Sequence, residues 1–230
     1  MNIRAVLFDL DGTLLDRRGT VRRHIESMIG RHPKIFRDGV SETLVNELLK
    51  LDRNGFADRR EFYSSIERHL GLAAGSGSIL LHYFEEQFPE SCVPMPRVTD
   101  TLGSLRERGV KVGLITNGRA LMQNRKIDGL GIRPLLDSVV ISGDLGVRKP
   151  DPRIFAAALE DLAVAPASAA YVGDNPEPDI LGAKRSGMFA VWRRDQWWPE
   201  PEEADLVIDD LSELIPGLFE TSASDCADAE

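Results

Sequence analysis

The chain has 230 residues, 42% of them hydrophobic and 28% charged, which suits a globular protein with room for one α/β domain and a smaller module. A net charge of −9 argues against a nucleic-acid-binding surface, which normally shows a basic stripe, although the local field of a pocket can still favour a small anionic substrate. The two cysteines, Cys92 and Cys226, are too few for a disulfide framework, and no apolar run approaches the roughly 20 residues of a membrane span; a cytoplasmic chain with no membrane partner is expected.

Residues 3–9 read as an apolar strand, whose start so near Met1 leaves no room for a signal peptide. Four helical segments follow. Residues 20–31 place Val21, Ile25, Met28 and Ile29 on one face. Ser41 can cap a helix carrying Leu44, Val45, Leu48, Leu49 and Leu51. Residues 58–71 carry Phe62, Ile66 and Leu70 before the stop signal Gly71, and 77–88 runs through Ile79, Leu80, Tyr83, Phe84 and Phe88. With no convincing strand among them, 17–93 is expected to be an all-helical insertion, closed by Cys92-Val-Pro-Met-Pro96.

From 97 onward strands and helices alternate. Strands are expected at 110–116, 138–142, 169–173, 188–192 and 205–208, and helices at 98–108, 119–130, 151–162, 177–186 and 211–217. This alternation implies an α/β, Rossmann-like parallel sheet covered on both faces, built from 1–16 and 94–218. The Ser/Ala/Asp-rich segment 219–230 reads as a disordered acidic tail.

The chemistry collects at strand ends. Asp9 and Asp11 leave the first strand for a Gly-Thr turn, at the carboxyl edge where open α/β sheets bind ligands. Two such carboxylates repel each other and need a cation or a shared proton. Thr116 and Asn117, in Leu114-Ile-Thr-Asn-Gly118, offer a hydroxyl and main-chain amides that can cradle a phosphate, although Asn117 also suits a helix N-cap. Lys149, in Arg148-Lys-Pro-Asp-Pro152, can neutralise a carboxylate and a phosphoryl group. Asp174 stands one residue past a strand and Asp179 in the next helical turn; hard oxygen ligands of this kind suit Mg²⁺.

These four stretches, in this order and each after an expected strand, resemble the haloacid dehalogenase-like hydrolase superfamily, specifically its phosphatases with an aspartate nucleophile. The resemblance spans about residues 3–210. It implies an aspartyl-phosphate on Asp9, taken to be ionised because an unperturbed carboxyl has a pKa near 4, with Asp11 as general acid and then base. It also implies Mg²⁺ held by Asp9, the Asp11 carbonyl and Asp174, phosphoryl contacts from Thr116, Asn117 and Lys149, and Asp179 supporting the metal shell. Dehalogenases of the superfamily lack the second aspartate, so Asp11 counts against that chemistry. A sugar-phosphate mutase of the same fold, or a non-catalytic binding protein, are the alternatives.

In family terms 17–93 is a helical cap inserted after the first motif, which implies a small phosphorylated metabolite as substrate. Gly146-Val-Arg-Lys-Pro-Asp-Pro-Arg-Ile-Phe155 and the cap position look like phosphoglycolate phosphatases and the nucleotidase-like branch, with phosphoglycolate, a nucleoside monophosphate or a sugar phosphate as candidates. Arg53, Asn54 or Phe56, at a helix–turn–helix junction, is expected to read the substrate. The four histidines (24, 32, 69 and 82) lack metal-ligand spacing, and Trp192, Trp197 and Trp198 read as packing or a subunit contact. The sequence leaves the oligomeric state open.

Overall fold

The computed structural model describes residues 2–53 and 57–220. The chain divides into two compact units, one running to Leu15 and resuming at Pro94, the other Asp16–Val93. Each is held together by its own core.

The first unit begins with β1 (Ala5–Phe8), whose four residues are all buried, as a strand covered on both faces must be. The second unit then supplies α1 (Arg17–Arg31), α2 (Glu42–Leu51), α3 (Arg59–His69) and α4 (Ser76–Gln87), followed by a 3₁₀ turn at Phe88–Ser91. The caps explain where three of these helices start. Asp16, Ser41 and Asp58 each accept a main-chain N–H three residues on, at 2.9, 3.2 and 3.0 Å. Val21, Ile25, Met28, Val45, Leu48, Phe62, Ile66, Leu80 and Phe84 are buried in these helices. Among the described residues this unit holds no strand.

Back in the first unit come α5 (Val98–Glu107), β2 (Lys111–Thr116), α6 (Ala120–Gly129), β3 (Ser138–Ile141), α7 (Ser142–Leu145) and α8 (Pro152–Leu162). They are followed by β4 (Ala169–Gly173), α9 (Gly182–Arg185), β5 (Phe189–Arg193), β6 (Leu206–Ile208) and α10 (Leu214–Phe219). The six strands form one parallel sheet in the order β3-β2-β1-β4-β5-β6. β1 therefore sits between β2 and β4, where the connections diverge to opposite halves of the sheet and leave a crevice.

Three expectations need correction. The helix expected at 177–186 is a π-helical turn, Pro176–Leu181, that passes into the short α9. Pro176 and Pro178 fall in its first turn, where main-chain N–H groups have no intrahelical partner and proline is tolerated. The last helix begins as a 3₁₀ turn at Leu211–Glu213, capped by Asp210, and runs to Phe219; of the expected tail, residues 221–230 lie outside the described residues. The short α7 also lies where only a loop was expected. Among the described residues no helix is long and apolar enough to cross a membrane.

Candidate active site

Register brings the functional positions to one edge of the sheet. Phe8 lies level with Leu114 on β2 and Val172 on β4, so Asp9 emerges beside Thr116, the last residue of β2, and Asp174, the first after β4. The Asp9 N–H donates to the Val172 carbonyl at 2.9 Å, fixing the start of the turn. Lys149 enters from the loop between α7 and α8.

Lys149 is 3% exposed, and its ammonium has three partners: Asp9 Oδ1 at 2.6 Å, Asp179 Oδ1 at 2.7 Å and the Tyr171 hydroxyl at 2.7 Å. An ammonium carries three protons, so this set uses all of them. Tyr171 in turn donates to the Ile115 carbonyl at 3.2 Å, which leaves its oxygen to accept from Lys149. Tyr171 was missed from the sequence because it sits inside a buried strand and reads as core. Burial works against the charge on Lys149, but Asp179 and Asp9 outweigh it and hold the ammonium above its ordinary range.

Asn117 grips the main chain of Lys149. Its Nδ2 donates to the Lys149 carbonyl at 3.1 Å and its Oδ1 accepts the Lys149 N–H at 2.9 Å. The N-cap of α6 is Arg119, so the capping role open to Asn117 in the sequence is not the one it takes.

Burial pushes the Asp9 carboxyl up to about 7, with Lys149 opposing and Asp179 and Asp11 adding to the rise. The ordinary value near 4 expected for it is thus corrected, and desolvation is the reason. Burial likewise holds Asp174 well above the usual carboxylate range, helped by Asp179 and Asp9. Asp9, Asp174 and Asp179 each present a carboxylate oxygen within 4.8 Å of the others. Crowded, desolvated carboxylates of this kind are relieved by a cation, and an all-oxygen donor set suits a hard divalent one. Asp179 is the most committed of the three, with Oδ1 on Lys149 and Oδ2 accepting the Asn175 N–H at 3.0 Å.

Asp11 faces α6. Lys126 Nζ lies 2.7 and 2.8 Å from its two oxygens, and Gln123 Nε2 donates to Oδ2 at 2.9 Å. The same Gln123 nitrogen donates to Thr116 Oγ1 at 2.6 Å. Neither Gln123 nor Lys126 was found from the sequence. Their three-residue spacing puts both on one helix face, a signal that was present but reads equally as solvated surface.

Two glycines allow the close approaches. Gly12 has φ +97°, and a Cβ there would come within 2.5 Å of Asp174 Oδ2; a Cβ on Gly173 would meet Asp179 Cβ at 2.4 Å. The end of β5 buttresses both turns. Arg193 donates to the Gly12 carbonyl at 2.9 Å, and the buried Trp192 donates its indole N–H to the Asp174 carbonyl at 2.6 Å. Of the other two tryptophans, Trp198 packs on the core cluster and Trp197 is exposed. In the second unit, Arg53 adopts φ +51°, while Asn54 and Phe56 lie outside the described residues.

A sequence model described as haloacid dehalogenase-like hydrolase matches residues 3–187. The chain belongs to this family. It is 35% identical over 200 residues to a glyceraldehyde 3-phosphate phosphatase of Methanopyrus kandleri, covering 82% of this chain and 83% of that protein. A phosphoglycolate phosphatase of Pseudomonas fluorescens is 30% identical over 230 residues, covering 96% and 81%. The crystal structure of a HAD phosphatase from Thermococcus onnurineus superposes with a TM-score of 0.64 at 29% identity, covering 94% of this chain and 98% of that one. Enzymes of this family generally use a divalent metal, and the three aspartates of this haloacid dehalogenase-like hydrolase fit one.

Proposed function

We propose that this hydrolase cleaves small phosphate monoesters through an aspartyl-phosphate on Asp9. The observation that carries the reading is the buried Lys149 ammonium, 2.6 Å from Asp9 Oδ1 and anchored on Asp179, beside Asp174. A carboxylate so held keeps one oxygen on Lys149 and turns the other to its substrate. Asp11, two residues on, supplies the proton chemistry that a phosphate ester needs and a halide leaving group does not.

In the first step an Asp9 oxygen bonds to phosphorus while the ester P–O bond breaks, and Asp11 gives its proton to the departing alkoxide. In the second, Asp11 takes a proton from water, whose oxygen bonds to phosphorus as the Asp9–P bond breaks and inorganic phosphate leaves. Thr116 and the amides around Asn117 bind the phosphoryl oxygens, and Lys149 balances the charge. A divalent cation, Mg²⁺ in this reading, would be held by Asp9, the Asp11 carbonyl and Asp174, with Asp179 steadying the shell, and would neutralise phosphoryl charge.

In the same reading 1–16 and 94–218 form the catalytic core, and 17–93 serves as a cap that selects the leaving group. The relatives favour a two- or three-carbon phosphate such as phosphoglycolate or the triose phosphate glyceraldehyde 3-phosphate, ahead of a nucleoside monophosphate or a larger sugar phosphate. The two cysteines suit the reducing cytoplasm as its setting.

The test is phosphate release from a panel of these esters with Mg²⁺ present, for the natural chain and Asp9→Asn. Release by the former and none by the latter is expected. Full turnover by Asp9→Asn would overturn the nucleophile, and an isomerised ester in place of free phosphate would make the protein a mutase.

A further inference from the structure

We propose that Gln123 is a positioning residue for this reaction: one amide nitrogen aims the hydroxyl proton of Thr116 at the phosphoryl group and ties Asp11 to the same anchor. The inference rests on the functional reading above and extends it to a residue that no strand-end motif contains.

Gln123 Nε2 carries two hydrogens and has two acceptors, Thr116 Oγ1 at 2.6 Å and Asp11 Oδ2 at 2.9 Å. Lys126 Nζ donates to both oxygens of Asp11, so in this arrangement, before it takes up the proton it later delivers, Asp11 is an acceptor and the amide group facing it is the NH₂. The same NH₂ then donates to Thr116. A hydroxyl oxygen that accepts from an amide keeps its own proton for another acceptor. Without that donor, Asp11 Oδ2, the other acceptor of the same nitrogen, competes for the Thr116 proton. A charge-assisted hydrogen bond to Asp11 would turn the proton away from substrate.

The turn after β2 is shaped to admit this side chain. A Cβ on Gly118 would lie 2.9 Å from both Cγ and Cδ of Gln123, so glycine at 118 is what lets the amide pass beneath the turn. Gln123 is 2% exposed and Thr116 1%, so water does not compete for the bond between them. Lys126, one turn along α6, adds two more contacts to Asp11 and holds the carboxylate on the helix side. The hydroxyl that binds the phosphoryl group and the carboxylate that moves the proton are thereby set by one rigid element.

The experiment uses the full chain with Mg²⁺, p-nitrophenyl phosphate as substrate and orthovanadate as a probe of the phosphoryl site. Gln123→Met keeps the length and removes both donors; Gln123→Glu keeps the shape and supplies acceptors instead. Both are expected to lower kcat/KM about 10- to 100-fold and to weaken vanadate inhibition, with Gln123→Glu the more damaged. In a Thr116→Ala background the loss from Gln123→Met is expected to shrink several-fold, to what the tie to Asp11 alone contributes. Losses that simply multiply, or variants within about twofold of the natural chain, would overturn the role. Should Gln123→Met fail to fold, Gln123→Glu alone and in the Thr116→Ala background gives the same readout. A natural chain that hydrolyses no phosphate ester would overturn the functional reading instead, and vanadate affinity would still judge Gln123.

Discussion

Trp192 donates its indole N–H to the main-chain carbonyl of Asp174 at 2.6 Å, so a core tryptophan on β5 fixes the turn that carries a candidate metal ligand. Replacing it with phenylalanine keeps an aromatic ring in the core but leaves that carbonyl without its donor. Residues that orient a ligand typically matter about tenfold or more for metal affinity. Trp192→Phe is expected to weaken divalent-cation binding about tenfold by calorimetric titration, with little change in secondary structure. Unchanged affinity would remove Trp192 from the site's support.

Cation binding should depend steeply on pH. Asp9 is pushed up to about 7 by burial, and Asp174 is held above the usual carboxylate range, so a cation entering at lower pH must displace protons. Affinity is expected to rise at least about tenfold per pH unit up to about pH 7, with proton release visible as buffer-dependent heats of binding. Without a cation the sign for stability is the opposite. The folded state holds the Asp9 proton more tightly than the unfolded chain, so this contribution is lost as pH climbs from 3.8 through about 7. Flat affinity across that window would contradict the placement of the metal on Asp9.

Lys149→Met would strand Asp9 and Asp179 as buried carboxylates with their shared counter-charge gone. Breaking a buried ion pair in this way costs about 3–5 kcal/mol. Denaturant unfolding is expected to show a loss of that order, and activity should fall by more than about a thousandfold. A planar guanidinium cannot reproduce three bonds from one nitrogen, so Lys149→Arg is not expected to rescue turnover.

His24 gives the helical unit its own pH response. It is buried against Tyr83, Phe84 and Phe88, with Nε2 3.3 Å from the Tyr63 hydroxyl and, among the described residues, no partner for Nδ1. Burial, with help from the nearby Arg59, lowers its pKa from 6.5 to about 3. The unfolded chain therefore takes up a proton that the folded unit refuses. Stability is expected to fall as pH drops from 6.5 toward about 3, by up to about 1.4 kcal/mol per unit. His24→Phe should flatten that slope in acid unfolding; an unchanged slope would assign it to other groups.

What the sequence made legible follows from where the information sits. Strands such as β1 and β4 are short apolar runs buried on both faces, so composition alone marks them, and the residue that follows each is marked in turn. Asp9 and Asp174 were visible for that reason, and Thr116 as the polar residue that ends β2. Lys149 was visible through its prolines. Gln123 and Lys126 were not, because a polar pair on a helix reads as solvent-facing until the helix is docked on the sheet end. Tyr171 hid in the opposite way, as one more buried strand residue whose hydroxyl happens to meet Lys149. Trp192 and Arg193 act through main-chain carbonyls, which leave no trace in residue types.

The seam between the units also matters. Leu15 pairs with Pro94 in the first unit, while the Asp16 N–H donates to the Val93 carbonyl at 2.9 Å in the second. The two chain crossings are thus neighbours, stitched on each side. An insertion that leaves and returns at a single point can be exchanged wholesale without altering the register of β1 against β2 and β4. If 17–93 is the cap of the proposed reading, modules taken from relatives and grafted at this junction are expected to change the substrate while the Asp9 site keeps its residues.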